Sequence, residues 1–155
     1  MSRTWLMKSE PDVYAFDDLK NAVNRSSMWE GVRNYQARNF MRDEMKKGDL
    51  VLFYHSNCKE PGIVGLAEIS SQQAYPDPTQ FDPGSHYHDP KSTEDNPRWL
   101  VVDVRYKGDL KRPLSLKEIK ADPKLEGIWV ARRGMRLSVQ PVEPEHAQHI
   151  LSLTT

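Results

Sequence analysis

At 155 residues the chain is long enough to bury one sizeable core and too short for two comfortable ones, so a single domain over residues 1–155 is expected. Lysine plus arginine and aspartate plus glutamate both number 22, which excludes binding to nucleic acid through bulk positive charge, and the single cysteine, Cys58, excludes an internal disulfide or a cysteine-rich zinc site. No apolar run approaches the ~20 residues of a membrane span and Met1-Ser2-Arg3 opens no signal peptide, so a soluble, cytoplasmic protein with no membrane partner is expected.

Thr4 to Lys8 is short and apolar enough for a buried strand, ended by Ser9-Glu10-Pro11. Phe16 to Val23 reads as a short helix capped by Asp17, and Ser26 to Trp29 returns to the core. From Asn34 the spacing of Ala37, Phe40, Met41 and Met45 predicts an amphipathic helix, stopped by Lys46-Lys47-Gly48-Asp49. Leu50 to Ser56 is the strongest strand signal. Ile63 to Ile69, after the Pro61-Gly62 turn, is its natural antiparallel partner, with Gly65 marking a bulge or a close approach. Residues 75–97 read as a loop rich in Pro, Asp, Ser and His, of a length usually functional or mobile. Trp99 to Tyr106 is a further strand, Ser115 caps a helix over Leu116 to Ala121, Leu137 to Pro141 is a final strand, and Pro144 opens a last helix. Five strands interleaved with short helices predict an α+β domain around a curved sheet or small barrel. A doubly wound parallel sheet is disfavoured, because no glycine-rich phosphate loop follows the first strand.

The densest stretch is Trp29 to Arg42. Trp29 offers a flat apolar surface, Gly31 a permissive backbone, and Asn34 both a helix cap and a donor–acceptor pair, a combination suited to a planar polar ligand. Ser9, Tyr54 and Ser56 sit at strand ends that can converge on the same place. The competing reading is a core tryptophan beside a glycine turn, with Asn34 doing nothing beyond capping. Charge is uneven: residues 97–136 hold eleven basic side chains against five acidic ones, which leaves room for a local basic surface.

Other chemistry is thinner. His86-Tyr87-His88-Asp89 carries metal-ligand types with no third partner at a recognisable spacing, His55 and Cys58 are a conceivable base and nucleophile, and Lys8 or Glu10 could act as acid or base if buried. No P-loop, G-x-S-x-G, H-E-x-x-H or CxxC motif is present, and no cofactor or metal is implied.

The segments WLMKSEP (5–11), WEGVRNYQAR (29–38), GDLVLFYHSN (48–57), GIVGLAE (62–68), DPKS (89–92), PRW (97–99) and RLSVQP (136–141) together resemble the EVE domain family, nearly end to end and in its bacterial single-domain form. The resemblance implies a PUA-like fold, a curved mixed β-sheet or pseudo-barrel flanked by short helices. It implies relation to YTH domains and a non-catalytic module that reads a modified base in DNA or RNA, a modified cytosine above all or methylated adenine. On that reading Lys8, Ser9, Trp29, Val32, Asn34, Tyr54, Ser56, Leu137 and Ser138 form the base pocket, and Arg33, Arg38, Arg132, Arg133 and Arg136 hold phosphates. The base is flipped from a duplex or presented single-stranded, and an effector protein is a further partner in view of the neutral net charge. The alternatives are an ASCH-like amidohydrolase acting on modified nucleosides through Lys8 and Glu10, and an interaction module in an RNA-processing or defence assembly.

Overall fold

Leu50 to His55 is apolar at almost every position because this strand lies inside a sheet covered on both faces. The computed structural model describes residues 2–155. Its strands are β1 (Thr4–Ser9), β2 (Ser26–Met28), β3 (Leu50–His55), β4 (Gly62–Ile69), β5 (Tyr75–Pro76), β6 (Leu100–Val101), β7 (Asp103–Ser115) and β8 (Val139–Val142). Its α-helices are α1 (Phe16–Lys20), α2 (Tyr35–Asn39), α3 (Leu116–Ala121) and α4 (Pro144–Thr154). Six strands form one curled mixed sheet in the order β2-β7-β4-β3-β1-β8, a half-barrel of α+β class, and β5 and β6 pair beside it. Strands β1 and β3 run parallel, while the other neighbours are antiparallel. Register shifts between β3 and β4 and at two places between β4 and β7 bend the strands and supply the curl.

Side-chain alternation sends each strand's residues to two cores. Trp5, Met7, Val51 and Phe53 join Phe16, Leu19, Trp29, Val32 and Met41 on one face, under α1 and α2. Leu6, Leu52, Tyr54, Ile63 and Leu114 join Ile119, Ala147 and Ile150 on the other, under α3 and α4. Gly65 is what lets α1 dock: a Cβ there would stand 2.1 Å from Cζ of Phe16.

The helices capped by Asn34 and Ser115 start where expected, with Asn34 Oδ1 accepting from the Ala37 N–H at 3.0 Å and Ser115 Oγ from the Glu118 N–H at 3.1 Å. Four expectations are corrected. Helix α1 is capped at Ala15 rather than Asp17, and the Asp18 carboxylate accepts the Ala15 N–H at 2.7 Å. The sheet has six strands rather than five, because Ser26–Met28 pairs with β7. The strand expected over 99–106 breaks at Val102 and resumes as far as Ser115; its second half is mostly exposed, and is held by backbone pairing to β4 together with burial of Leu114 in the second core. The segment 75–97 is not structureless. Gln80 is fully buried there, its Nε2 donating to the carbonyls of Asp77 and Trp99 at 2.8 and 2.7 Å and its Oε1 accepting the N–H groups of Arg98 and Trp99.

Candidate ligand pocket

The parallel pairing of β1 with β3 places Ser9 beside His55 at the same end of the sheet, and the chain leaving each strand turns there. A cavity of about 380 Å³ opens at that end. One wall is Lys8, Ser9, Glu10, Val13 and Tyr14 with Ser56 and Ser138; the other is the continuous run Ser27 to Val32, closed by Tyr87.

Each wall is fixed by identifiable bonds. The Trp29 N–H donates to the Val102 carbonyl at 2.9 Å, and its indole is bedded edge-on against Phe53, leaving the residue 7% exposed. Gly31 adopts φ +82, a left-handed conformation in which a side chain is strained, and a Cβ there would meet Cζ of Tyr87 at 2.6 Å. The Gly31 N–H donates to Asp77 Oδ2 at 2.9 Å. Asp77, 0% exposed, also accepts from Thr79 and from Arg33 Nη1 at 3.0 Å. Burial pushes its carboxyl up, but the hydrogen bonds from Thr79, Gly31 and Arg33 outweigh that and hold it below the usual range. Arg33 in turn donates to the Tyr87 carbonyl at 2.7 Å, so one buried carboxylate ties Gly31 and Tyr87 into a single wall. On the opposite side Ser9 Oγ donates to the Tyr14 carbonyl at 2.6 Å, and Asn57, at φ 50, donates its side-chain amide to the Glu10 carboxylate.

Two ionisable groups in the lining are shifted. Burial lowers the Lys8 pKa, and its Nζ lies 3.5 Å from the Met135 carbonyl. Glu30 is raised, by burial first and then by Asp77, with Arg33 opposing. Tyr14, Trp29 and Tyr87 are the aromatic lining, so the cavity joins flat apolar surface to a few polar groups.

A family model described as the EVE domain matches residues 3–153. This chain belongs to the EVE domain family. Human thymocyte nuclear protein 1 is 43% identical over an alignment 171 positions long, gaps included, which covers 99% of this chain and 74% of that protein. A Pseudomonas syringae protein, 47% identical, superposes with a TM-score of 0.91 over 97% of this chain and 98% of its own. The human THYN1 protein in complex with 5-methylcytosine-containing DNA, 44% identical, gives a TM-score of 0.91 over 98% of this chain and 97% of its own. An ASCH mutant protein from Zymomonas mobilis, 12% identical with a TM-score of 0.56, shares the fold alone.

In this EVE domain the cavity wall takes in Lys8, Ser9, Trp29, Val32, Ser56 and Ser138 of the residues expected in the pocket. The other three lie elsewhere. Asn34 spends its side-chain oxygen on the helix cap, Tyr54 shares the alternation of Leu52 and is buried in the opposite core, and Leu137 packs into the first core. Of the arginines expected at phosphates, Arg33 is consumed inside the wall, Arg38 donates to the Arg98 carbonyl and Asn39, and Arg132 donates to the Gly127 carbonyl. Arg133 and Arg136 are exposed, on the segment that leads into Ser138, and their guanidinium groups enter none of the hydrogen bonds or ion pairs among the described residues.

The sequence reading missed Glu30, Tyr14 and Tyr87 as lining. Tyr87 stood in the sequence between two histidines that drew attention to a metal. Asp89, the carboxylate of that set, accepts the Trp99 indole N–H at 2.7 Å instead. His55, the other conceivable catalytic base, accepts the Phe16 N–H at its Nε2, 3.0 Å away, with its pKa lowered by burial; it anchors the start of α1 as a neutral imidazole. Among the described residues no helix is long and apolar enough to cross a membrane.

Proposed function

We propose that this EVE domain is a non-catalytic reader of a modified base in nucleic acid, and that 5-methylcytosine in DNA is its ligand. The observation that carries the reading is the cavity of about 380 Å³ between the wall that holds Lys8 and Tyr14 and the wall that holds Trp29 and Tyr87, with Glu30, Lys8 and four serines in its lining. It is supported by the likeness to the human protein whose structure contains 5-methylcytosine DNA. A cytosine slid between the two walls buries its ring and methyl against the aromatic surfaces. The Glu30 carboxylate accepts from the exocyclic amine, the one donor that separates cytosine from thymine on that edge. One methyl group adds about 1 kcal/mol of apolar burial, so the preference rests on a close-fitting wall rather than on area. Arg133 and Arg136 hold the flanking phosphates, which makes affinity fall with salt. Binding without turnover is favoured over hydrolysis by the likeness, at 44% identity, to the human protein in complex with 5-methylcytosine-containing DNA, against 12% for the ASCH protein.

The test is binding of oligonucleotides carrying cytosine, 5-methylcytosine or methylated adenine, at one stated salt concentration, with wild type and Trp29→Phe side by side. A preference for 5-methylcytosine that Trp29→Phe weakens supports the reading. Equal affinity for all three oligonucleotides, or release of a product from the free modified nucleoside, overturns it.

A further inference from the structure

Four large apolar side chains among the described residues are well exposed, and two of them, Val13 at 64% and Met28 at 39%, belong to the cavity lining. They come from its two different walls. A residue that both lines a cavity and faces solvent stands at the mouth, so the entrance is bracketed by apolar groups. Singly exposed apolar side chains are ordinary and need no account, and Val23, at 85%, is one of them, away from the cavity.

Val13 differs in how it is held. The N–H groups of Val13 and Tyr14 both donate to the Glu10 carbonyl at 2.9 Å, closing a tight turn that begins at a proline, Pro11. That turn is tied down at each end. The Glu10 carboxylate accepts the Asn57 amide, the Tyr14 carbonyl accepts the Ser9 hydroxyl, and the Phe16 N–H two residues on donates to His55. The result is a stiff finger with a branched apolar tip, anchored to the ends of β1 and β3 and projecting beside a base-sized hole. A base leaving a duplex for that hole leaves a gap in the stack, and a small, rigid apolar side chain at the entrance is the group that fills such a gap.

We infer that Val13 is a wedge that enters duplex DNA beside the flipped cytosine and stacks against the base pair it exposes, so that the preferred substrate is a modified base within a duplex. The inference rests on the base-pocket reading above. It divides labour between two places: Trp29 and Glu30 hold the base inside, whereas Val13 stabilises the duplex that has lost it. Being largely exposed, Val13 can be changed without opening the core.

The experiment measures wild type, Val13→Ser, Val23→Ser and Trp29→Phe against the same 5-methylcytosine sequence as duplex and as single strand, with 2-aminopurine next to the modified base as an unstacking reporter. Val13→Ser should lose about tenfold in duplex affinity and most of the fluorescence rise, with a much smaller loss on the single strand because Val13 touches only the mouth of the cavity, while Val23→Ser matches wild type throughout. If Val13→Ser alters duplex and single strand alike, or neither, or if wild type takes only the single strand, the wedge is overturned while the pocket reading stands on the 5-methylcytosine preference. If wild type shows no such preference in either form and Trp29→Phe changes nothing, the pocket reading fails and the wedge with it.

Discussion

The two faces of the one sheet are built from different materials. The face that ends in the cavity gathers Trp5, Phe16, Trp29 and Phe53, with Phe40, Tyr106 and Trp129 around them. The opposite face is aliphatic, Leu6, Leu52, Ile63, Leu114, Ile119 and Ile150, and among the described residues Tyr54 is its one aromatic. Branched aliphatic side chains interdigitate and close on one another. Aromatic plates prefer edge-on contacts, such as Phe16 and Trp29 against Phe53, and at the margin of the sheet this cluster reaches the cavity through Trp29 and Tyr14. The aliphatic face holds the fold shut; the aromatic face holds it and also borders the cavity.

The largest effects should come from truncating one residue on each face. Trp29→Ala removes a buried indole at a cost of about 3–5 kcal/mol and takes modified-base binding with it, whereas Leu52→Ala costs about 2–5 kcal/mol and leaves base preference intact in the folded fraction. Urea unfolding paired with oligonucleotide binding reads both, and a shifted preference in Leu52→Ala would show that the faces are not independent. Next is the carboxylate behind the open face. Because folding lowers the Asp77 pKa below 3.8, its contribution is fully present above that value and is lost as pH falls through the folded one. Asp77→Asn should therefore cost about 2–3 kcal/mol at neutral pH, discounted because Arg33 is partly exposed, and should flatten the acid limb of stability against pH. Gly31→Ala follows, at about 1–3 kcal/mol of backbone strain, and must push Tyr87 off the wall, so ligand affinity should fall by more than the stability change explains.

The smallest effect sharpens the chemistry rather than the packing. The Glu30 carboxyl titrates above its ordinary 4.5, so the acceptor it offers is lost as pH is lowered through that raised value. Binding of 5-methylcytosine DNA should weaken over that range in wild type, and Glu30→Gln should lack the transition while unfolding at nearly the same urea concentration. An identical pH profile in both proteins would remove Glu30 from base recognition.

What was legible in the sequence was local. Asn34 and Ser115 cap their helices because a side-chain oxygen three residues before an N–H needs no distant partner, and the paired strands around Pro61-Gly62 follow from a turn and two apolar runs. The family resemblance implied the curled mixed sheet, and six of the residues it pointed to line the cavity. What was not legible depended on distance or on face. Tyr54 and Ser9 both sit near strand ends, but Tyr54 is buried in the second core and Ser9 lines the cavity, and no single strand says which face carries the opening. Tyr87 reaches Gly31 only because Arg33 and Asp77 draw two remote segments together. The charged run through β7 carries no apolar periodicity, so its pairing with β4 was invisible until the backbone was seen.

The place of β1 in the sheet has a consequence for biosynthesis. It is made first of the strands, yet its neighbours are β3 and β8, so on the ribosome it waits with one edge unpaired until Val139–Val142 has emerged. The same strand ends in Lys8 and Ser9, whose backbone is fixed there by the bond from the Lys8 N–H to the Ser138 carbonyl at 2.8 Å. A nascent chain therefore cannot complete this cavity early, and its walls come together only with the closing of the sheet, after synthesis of almost the whole domain.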